Sequence, residues 1–468
     1  MRVIMVFFDT LRVDHVGCYG YHKNTTPNVD RLARKGARFL NCYPTNVPTQ
    51  PCYTSVLTGR NGISTGVVTH GQPESTISQE VRTFPEVLAE HGILTAAVST
   101  LYRFRRWFAK GFTHYLQPDI ATWLQHVTAD QVNEQVIPWL KAYGDRDFFL
   151  FLHYWDPHTP YSKASADRVA QFYDGDDPYD RQNTSLEGLR AQPLMHYFIS
   201  GVAIPEMQDG LTDARYVVAK YDAEINYADD RFGQVLDLLE EIKIMDDTMI
   251  IFTSDHGEAM DGEHGVYFDH MDAYEQVSHV PLIISYPEHT GPRSLDPFVQ
   301  HVDFAPTILQ AFGIEVPECF AGRSLWPLLR GEVDTHYETV FTDHGLWCAQ
   351  RAMRTSQWSL VKTIAPGMLG SRPSLELFDR RLDKDEKRNV ADVHPDVVSA
   401  LNGAYYAWLE EQLGDRPDPL RMAAEESEVF KRVKARYEAH VATSRRQEEL
   451  MTPQDRADID NQPAIETD

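Results

Sequence analysis

The chain has 468 residues, 42% of them hydrophobic and 24% charged, the balance of a soluble globular protein large enough for more than one domain. Its 44 Lys and Arg against 69 Asp and Glu leave a formal charge of −25, which argues against nucleic acid or an anionic membrane as partner. Any anion site must then be a local positive pocket, most simply one holding a metal. No basic, apolar and small-residue leader opens the chain, and no apolar run approaches the roughly 18–20 residues of a span, so a cytoplasmic protein is expected. Cys18, Cys42, Cys52, Cys319 and Cys348 lack CxxC spacing and are expected as reduced, mostly buried thiols.

Residues 2–8, RVIMVFF, are apolar without alternation and end at Asp9. Such a run predicts a strand covered on both faces, as in a parallel α/β sheet. Asp9 then falls at the strand's C-terminal end, where open α/β sheets hold their ligands, or else caps the following turn. Residues 28–36 predict a short helix. Within residues 41–67 lies Pro48-Thr49-Gln50-Pro51, followed by an apolar run and Thr58-Gly59-Arg60. The two prolines disfavour helix just before them, which predicts Thr49 and Gln50 on a stiff, non-helical elbow. The run after Pro51 predicts a helix whose free N–H groups and positive dipole end face that elbow. Thr49 is a candidate nucleophile over a divalent cation; the segment taken alone also fits a helix cap.

Residues 84–91 are amphipathic, 93–99 predict a strand, 131–143 a helix and 148–153 another strand, which empties into YWDPHTPY. That alternation favours a mostly parallel sheet with right-handed crossovers. Periodicity is lost over residues 162–213, the mark of a lid or binding loop. It returns over 222–244, an amphipathic helix with Ile225, Phe232, Val235, Leu236, Leu239 and Ile242 on one stripe. Residues 248–253 form a second apolar run and deliver Asp255 and His256 at its end. If the two apolar strands are neighbours, Asp9, Asp255 and His256 converge on one crevice, where a cation is the simplest relief of carboxylate repulsion.

Residues 262–279 are rich in Asp, Glu and His and precede a strand over 280–284. His301 and Asp303 precede a helix to residue 312 and are expected to stabilise that loop. Strand-like stretches at 339–342, 352–355, 358–363 and 375–378, then a helix over 395–412, predict a smaller α+β domain. The expected division is a catalytic α/β domain over 1–335 with an insertion at 162–213, the small domain over 336–420, and a charged helical tail over 421–468. That tail is a candidate arm for homo-oligomerisation. Arg103, Arg105 and Arg106 form a basic knot, by default a surface patch.

These residues carry a resemblance. Asp9-Thr10-Leu11-Arg12 with Asp14-His15 and Gly17-Cys18-Tyr19-Gly20-Tyr21 resembles the opening of the sulfatases. So do Thr58-Gly59-Arg60, Trp155-Asp156-Pro157-His158-Thr159-Pro160-Tyr161, Ser254-Asp255-His256-Gly257-Glu258, Val280-Pro281-Leu282, and His301-Val302-Asp303 through Pro306-Thr307. Glu376-Leu377-Phe378-Asp379 with Asp383 and Glu386 resembles the same family's C-terminal domain. The resemblance, to the sulfatase and phosphonate monoester hydrolase branch of the alkaline phosphatase superfamily, implies a doubly wound α/β domain, a smaller C-terminal sheet domain and metal-assisted ester hydrolysis.

One departure bears on the chemistry. Counting back from Thr58-Gly59-Arg60 puts Thr49 at the family's formylglycine Cys, Pro51 at its Pro, Cys52 at its Ser and Tyr53 at its Arg. Cys52 is followed by Thr54 and Val56 where Pro and Arg would be needed, so no formylglycine is expected. A Thr at this place looks like the phosphodiesterase and nucleotide pyrophosphatase branch. An esterified Thr cannot expel sulfate by hemiacetal collapse, which tilts the expectation toward phosphodiesters or phosphonate monoesters. A sulfate-ester hydrolase using unmodified Thr49 is the runner-up, and a non-catalytic anion-binding member the third reading.

The resemblance further implies Asp9, Asp255 and His256 as metal ligands, with Thr49 bridging metal and substrate. Thr10 stands where many sulfatases have another metal Asp, and Asp222 is followed four residues on by Asn226, not the His of a two-zinc set. One divalent ion is therefore expected, with Mn²⁺, Zn²⁺ or Fe²⁺ favoured over Ca²⁺. His158, His270 (where sulfatases often have Lys) and His70 (near a family Asn) are candidate anion binders, the first two also leaving-group acids. The partner implied is a small anionic ester; the sequence does not name its alcohol.

Overall fold

The computed structural model describes residues 1–119, 126–287, 291–367 and 372–426, with 431, 435–439 and 441–442 of the tail. In chain order the strands are β1 (Arg2–Phe8), β2 (Ala37–Tyr43), β3 (Asn46–Val47), β4 (Leu94–Val98), β5 (His114–Leu116), β6 (Phe148–Tyr154) and β7 (Thr248–Thr253). They continue as β8 (Val280–Ser285), β9 (Arg293–Gln300), β10 (Val340–Gly345), β11 (Ala349–Arg354), β12 (Trp358–Ala365) and β13 (Leu375–Asp379). Eight of them form one sheet in the order β5-β4-β6-β1-β7-β8-β2-β9. The five strands from β5 to β7 run parallel, and β8 is antiparallel to both of its neighbours.

The two runs without alternation are the middle of this sheet. β1 and β7 pair directly, Phe7 opposite Thr253, and both are buried almost throughout. Burial on both faces explains the missing alternation. Successive side chains of a strand point to opposite faces, and β1 makes this visible. Phe7 packs on Tyr53 of the helix Thr49–Thr58, whereas Phe8 packs on Phe232 of the helix Ala214–Glu241. Helices therefore cover both faces, giving an alkaline-phosphatase-like doubly wound α/β layer structure.

A second sheet has the order β13-β12-β11-β10-β3 and is antiparallel except where β10 meets β3. Its helix Pro395–Leu413 packs Trp408 flat on Phe341 at 3.7 Å between ring centroids. This sheet is not confined to residues after 336: β3 is the dipeptide immediately before Pro48, so the small sheet grips the segment that presents Thr49.

Several expectations need correction. Thr49 and Gln50 are not on a non-helical elbow but are the first two residues of the helix Thr49–Thr58, with Pro48 as N-cap. Pro51 is tolerated because its missing N–H falls in the first turn, where N–H groups have no intrahelical partner. β2, β5 and β9 were not expected. The insertion at 162–213 holds the short helices Ala166–Ala170, Glu187–Arg190 and Pro193–Phe198, and the next long helix starts at Ala214, eight residues before the expected 222. Tail residues 427–430, 432–434, 440 and 443–468 lie outside the described residues, so the oligomerisation arm does too. Of the rest, Tyr437 sets its ring 5.8 Å from Tyr197 of the insertion. Among the described residues no helix is long and apolar enough to cross a membrane.

The small sheet depends on Arg351, which is fully buried and bonds both Asp343 (Nη2–Oδ2, 2.8 Å) and Asp418 (Nη1–Oδ2, 3.1 Å). Removing one partner of such a group leaves uncompensated buried charge. Arg351→Ala should cost about 3–5 kcal/mol in denaturant unfolding.

Candidate metal centre and nucleophile

The parallel register of β1 and β7 decides where Asp9 and Asp255 meet. Asp9 follows β1 directly and Asp255 lies two residues past β7, so both carboxylates leave the same edge of the sheet. The backbone ties them: Thr10 N donates to Asp255 Oδ1 (3.0 Å), and Leu11 N donates to Ser254 Oγ (2.9 Å). Asp9, Asp255 and His256 are fully buried, and their ligand atoms lie within 4.8 Å of one another. Thr49, 1% exposed, brings its hydroxyl to this group, with Oγ1 3.2 Å from His256 Nε2.

The donor set fits a cation on three observations. Asp9 Oδ1 and Asp255 Oδ2 are buried without a hydrogen-bond partner. Burial and then the charge of Asp255 push the Asp9 carboxyl well above its ordinary range, the signature of negative charge lacking a counter-ion. Finally, His256 Nδ1 lies 3.0 Å from the Gly257 carbonyl, so the proton belongs on Nδ1. That leaves the Nε2 lone pair facing Asp255 Oδ2 at 3.2 Å, an arrangement that only a proton or a cation between them relieves.

Two supporting residues were not anticipated. His153, the sixth residue of β6, sets Nε2 3.0 Å from Asp9 Oδ2, and Tyr53 donates to the same oxygen at 3.3 Å. His153 had a readable signal, since it ends an apolar strand neighbouring β1. Tyr53 had only its place in the resemblance; there its hydroxyl orients Asp9. Beneath them Cys52 Sγ lies 3.2 Å from both the Asp255 carbonyl and His301 Nδ1, so His301 braces the loop as expected. Asp303 accepts from the backbone of Gln300 and Arg323 and from the Tyr337 hydroxyl, also in keeping with a loop-stabilising place.

The three further histidines gather on one side. His270 sets its ring centroid 4.3 Å from that of His256, the planes tilted by 37°, and His158 lies 5.3 Å from His270. His70 stacks on Phe104, and the charge of His256 is among those acting on it. Its loop is fixed by Gly71 N donating to Gln50 Oε1 at 3.0 Å. Burial pushes His158 and His70 down to about 3 and His270 well below the usual imidazole range. Burial thus favours the neutral form of all three rings, and His158 sets Nδ1 2.6 Å from the Thr159 carbonyl. Arg105 bonds the Gln72 and Phe104 carbonyls, which anchors the His70 loop.

If these carboxylates await a cation, their repulsion destabilises the metal-free protein. Asp9→Asn should therefore be at least as stable as the native chain in EDTA. Saturating Mn²⁺ should stabilise the native chain, by about 2.7 kcal/mol for an ion present at a hundred times its Kd, and the variant by less. Thermal unfolding with and without the ion measures both.

The sulfatase family profile matches residues 2–314, and that of the N-sulphoglucosamine sulphohydrolase C-terminal region matches residues 262–403. An N-acetylglucosamine-6-O-sulfatase of Bacteroides thetaiotaomicron is 25% identical over 83% of this chain and 82% of its own. A multifunctional alkaline phosphatase superfamily protein, PehA, of Trinickia caryophylli is 26% identical over 71% of this chain and 78% of its own. Among solved structures, BT4656 in complex with its substrate D-glucosamine-2-N,6-O-disulfate superposes with a TM-score of 0.73 at 21% identity, covering 89% of this chain and 99% of that one. The phosphonate monoester hydrolase of Agrobacterium radiobacter gives 0.70 at 20% identity, over 88% and 96%. With the sulfatase profile running from the first strand past Asp255 and His256, the chain belongs to the sulfatase family of the alkaline phosphatase superfamily and is a hydrolase of that family.

Proposed function

We propose that the protein hydrolyses phosphodiesters or phosphonate monoesters through Thr49 as nucleophile. The observation carrying this reading is the Thr49 hydroxyl, buried at a helix start and 3.2 Å from His256 Nε2, beside two carboxylates with free oxygens. A divalent ion held by Asp9, Asp255, His256 and the Thr49 hydroxyl would lower that hydroxyl's pKa and neutralise charge on the ester oxygens. The carboxylate and imidazole donors favour Mn²⁺, Zn²⁺ or Fe²⁺ over Ca²⁺.

In the first half-reaction Thr49 Oγ1 gives its proton to water and bonds phosphorus as the bond to the leaving alcohol breaks in line. His158, His270 and His70 line the space for the phosphoryl oxygens, and His158, whose Nδ1 donates to the Thr159 carbonyl at 2.6 Å, donates from Nε2 once the anion's charge favours its protonated form. The departing alkoxide takes its proton from water. In the second half-reaction water attacks phosphorus, the bond to Thr49 breaks, and the hydroxyl is restored. Thr49 carries no carbonyl through which a sulfate ester could collapse, and this favours phosphorus over sulfur. The sulfate-ester reading remains second because the N-acetylglucosamine-6-O-sulfatase is a relative over most of the chain.

Turnover of bis-p-nitrophenyl phosphate and p-nitrophenyl phenylphosphonate should exceed that of p-nitrophenyl sulfate in the Mn²⁺-loaded protein. Thr49→Ala should lower it by on the order of 10³-fold or more, while Thr49→Ser retains part of it. Sulfate as the preferred probe favours the second reading, and full activity in Thr49→Ala removes the nucleophile.

A further inference from the structure

Next to the first ligand set stands another. Glu258, Asp269 and His270 are all buried, and one ligand atom from each lies within 4.8 Å of the others. His270 Nδ1 is 3.3 Å from Glu258 Oε1 and 3.6 Å from Asp269 Oδ1. Glu258 is fully buried, and its other oxygen, Oε2, has no hydrogen-bond partner. The His270 ring lies 4.3 Å from that of His256, so the two sets are neighbours.

Charge counting shows what this set lacks. Asp9, Asp255, Glu258 and Asp269 bring four buried carboxylates together. Among the described residues the cations nearby pair elsewhere, Arg12 with Asp14 (2.7 Å) and Lys163 with Asp156 and Glu224 (3.5 and 3.4 Å), while Arg372 lies 3.8 Å from Asp272. Arg12 reaches the backbone carbonyl of Glu258 at 2.9 Å, not its carboxylate. One divalent ion on Asp9 and Asp255 balances two of the four charges and leaves Glu258 and Asp269 uncompensated.

We infer that Glu258, Asp269 and His270 bind a second divalent transition-metal ion, which makes the centre binuclear. Two oxygen donors and one imidazole suit Mn²⁺, Zn²⁺ or Fe²⁺ better than Mg²⁺ or Ca²⁺. This departs from the single ion expected from the sequence. There the only second set sought was an Asp-x-x-x-His pair, which Asp222 and Asn226 do not supply. In the structure Asp222 bonds His15 Nδ1 (2.7 Å), the Tyr21 hydroxyl and Lys23, and has no part in the centre. His270 bound through Nδ1 keeps Nε2 as its remaining ring nitrogen for a substrate anion. The inference goes beyond the proposed function and holds whichever ester is cleaved.

The test is metal stoichiometry. Chelator-treated protein is titrated with Mn²⁺ to 1 mM by calorimetry, and bound metal is measured by plasma mass spectrometry after desalting. Two equivalents per chain are expected for the native protein, and one each for Glu258→Gln, Asp269→Asn and Asp9→Asn. Two ions in neighbouring sites should also give an exchange-coupled Mn²⁺ resonance spectrum, which each variant loses. Saturation at one equivalent, or two equivalents retained by both Glu258→Gln and Asp269→Asn, overturns the inference. Native stoichiometry needs no variant to fold, and because no readout is turnover, failure here is distinct from failure of the phosphodiesterase reading.

Discussion

The constraint on which the rest of the structure depends is electrostatic: two carboxylates are forced together at the ends of adjacent buried strands. The backbone imposes it. β1 and β7 share a parallel register up to Phe7 and Thr253, and hydrogen bonds from Thr10 and Leu11 fix the two following turns against each other. Neither carboxylate can move away without breaking the sheet edge. Their surroundings answer this crowding with donors: His153 and Tyr53 on Asp9, backbone N–H groups on Asp255. Neutral donors satisfy lone pairs but not charge, so one oxygen of each carboxylate is still open to a cation.

Thr49 is fixed from two directions. Its helix packs on the sheet face through Tyr53 and Phe7, while the dipeptide β3 before Pro48 is hydrogen-bonded into the small sheet through Asp343 and His344. The small domain is thus a support for the segment that carries Thr49 as well as an appendage to the large one. This is why its buried Arg351, which holds Asp343, bears on the site from a distance. The small sheet connects to the second ligand set too, since His344 Nε2 lies 3.0 Å from the carbonyl of His270.

What the sequence made legible follows from burial. Strands covered on both faces must be apolar throughout, so β1, β6 and β7 stood out, and with them Asp9, Asp255 and His256 at their ends. β2 and β9 lie at the margin of the sheet, where burial is broken, and β9 carries Asp296 and Pro297, residues that read as loop. The helical start at Thr49 was hidden by Pro51, because the rule against proline in helices does not hold in the first turn. Glu258, Asp269 and His270 were each in view, but loop residues have no periodicity to say which of them meet. Only the bridge between Ala259 and Asp269 brings the two ends of that loop together.

Three departures from the family pattern can be read as one electrostatic change. By the resemblance, Thr10 stands where many sulfatases have a ligand carboxylate, Tyr53 where their signature has an arginine and His270 where they often have a lysine. The first removes one negative charge; the others remove two positive ones, since the Tyr53 and His270 side chains are held neutral by burial. The centre is therefore one unit more negative than the sulfatase pattern from which it departs, in a chain already at −25. A site that must attract an anionic ester against that field has given up its permanent side-chain cations. Bound metal charge would restore the balance beside the Thr49 hydroxyl. A threonine where the resemblance puts the formylglycine cysteine, and neutral side chains where it puts basic ones, would both suit chemistry that rests on metal charge.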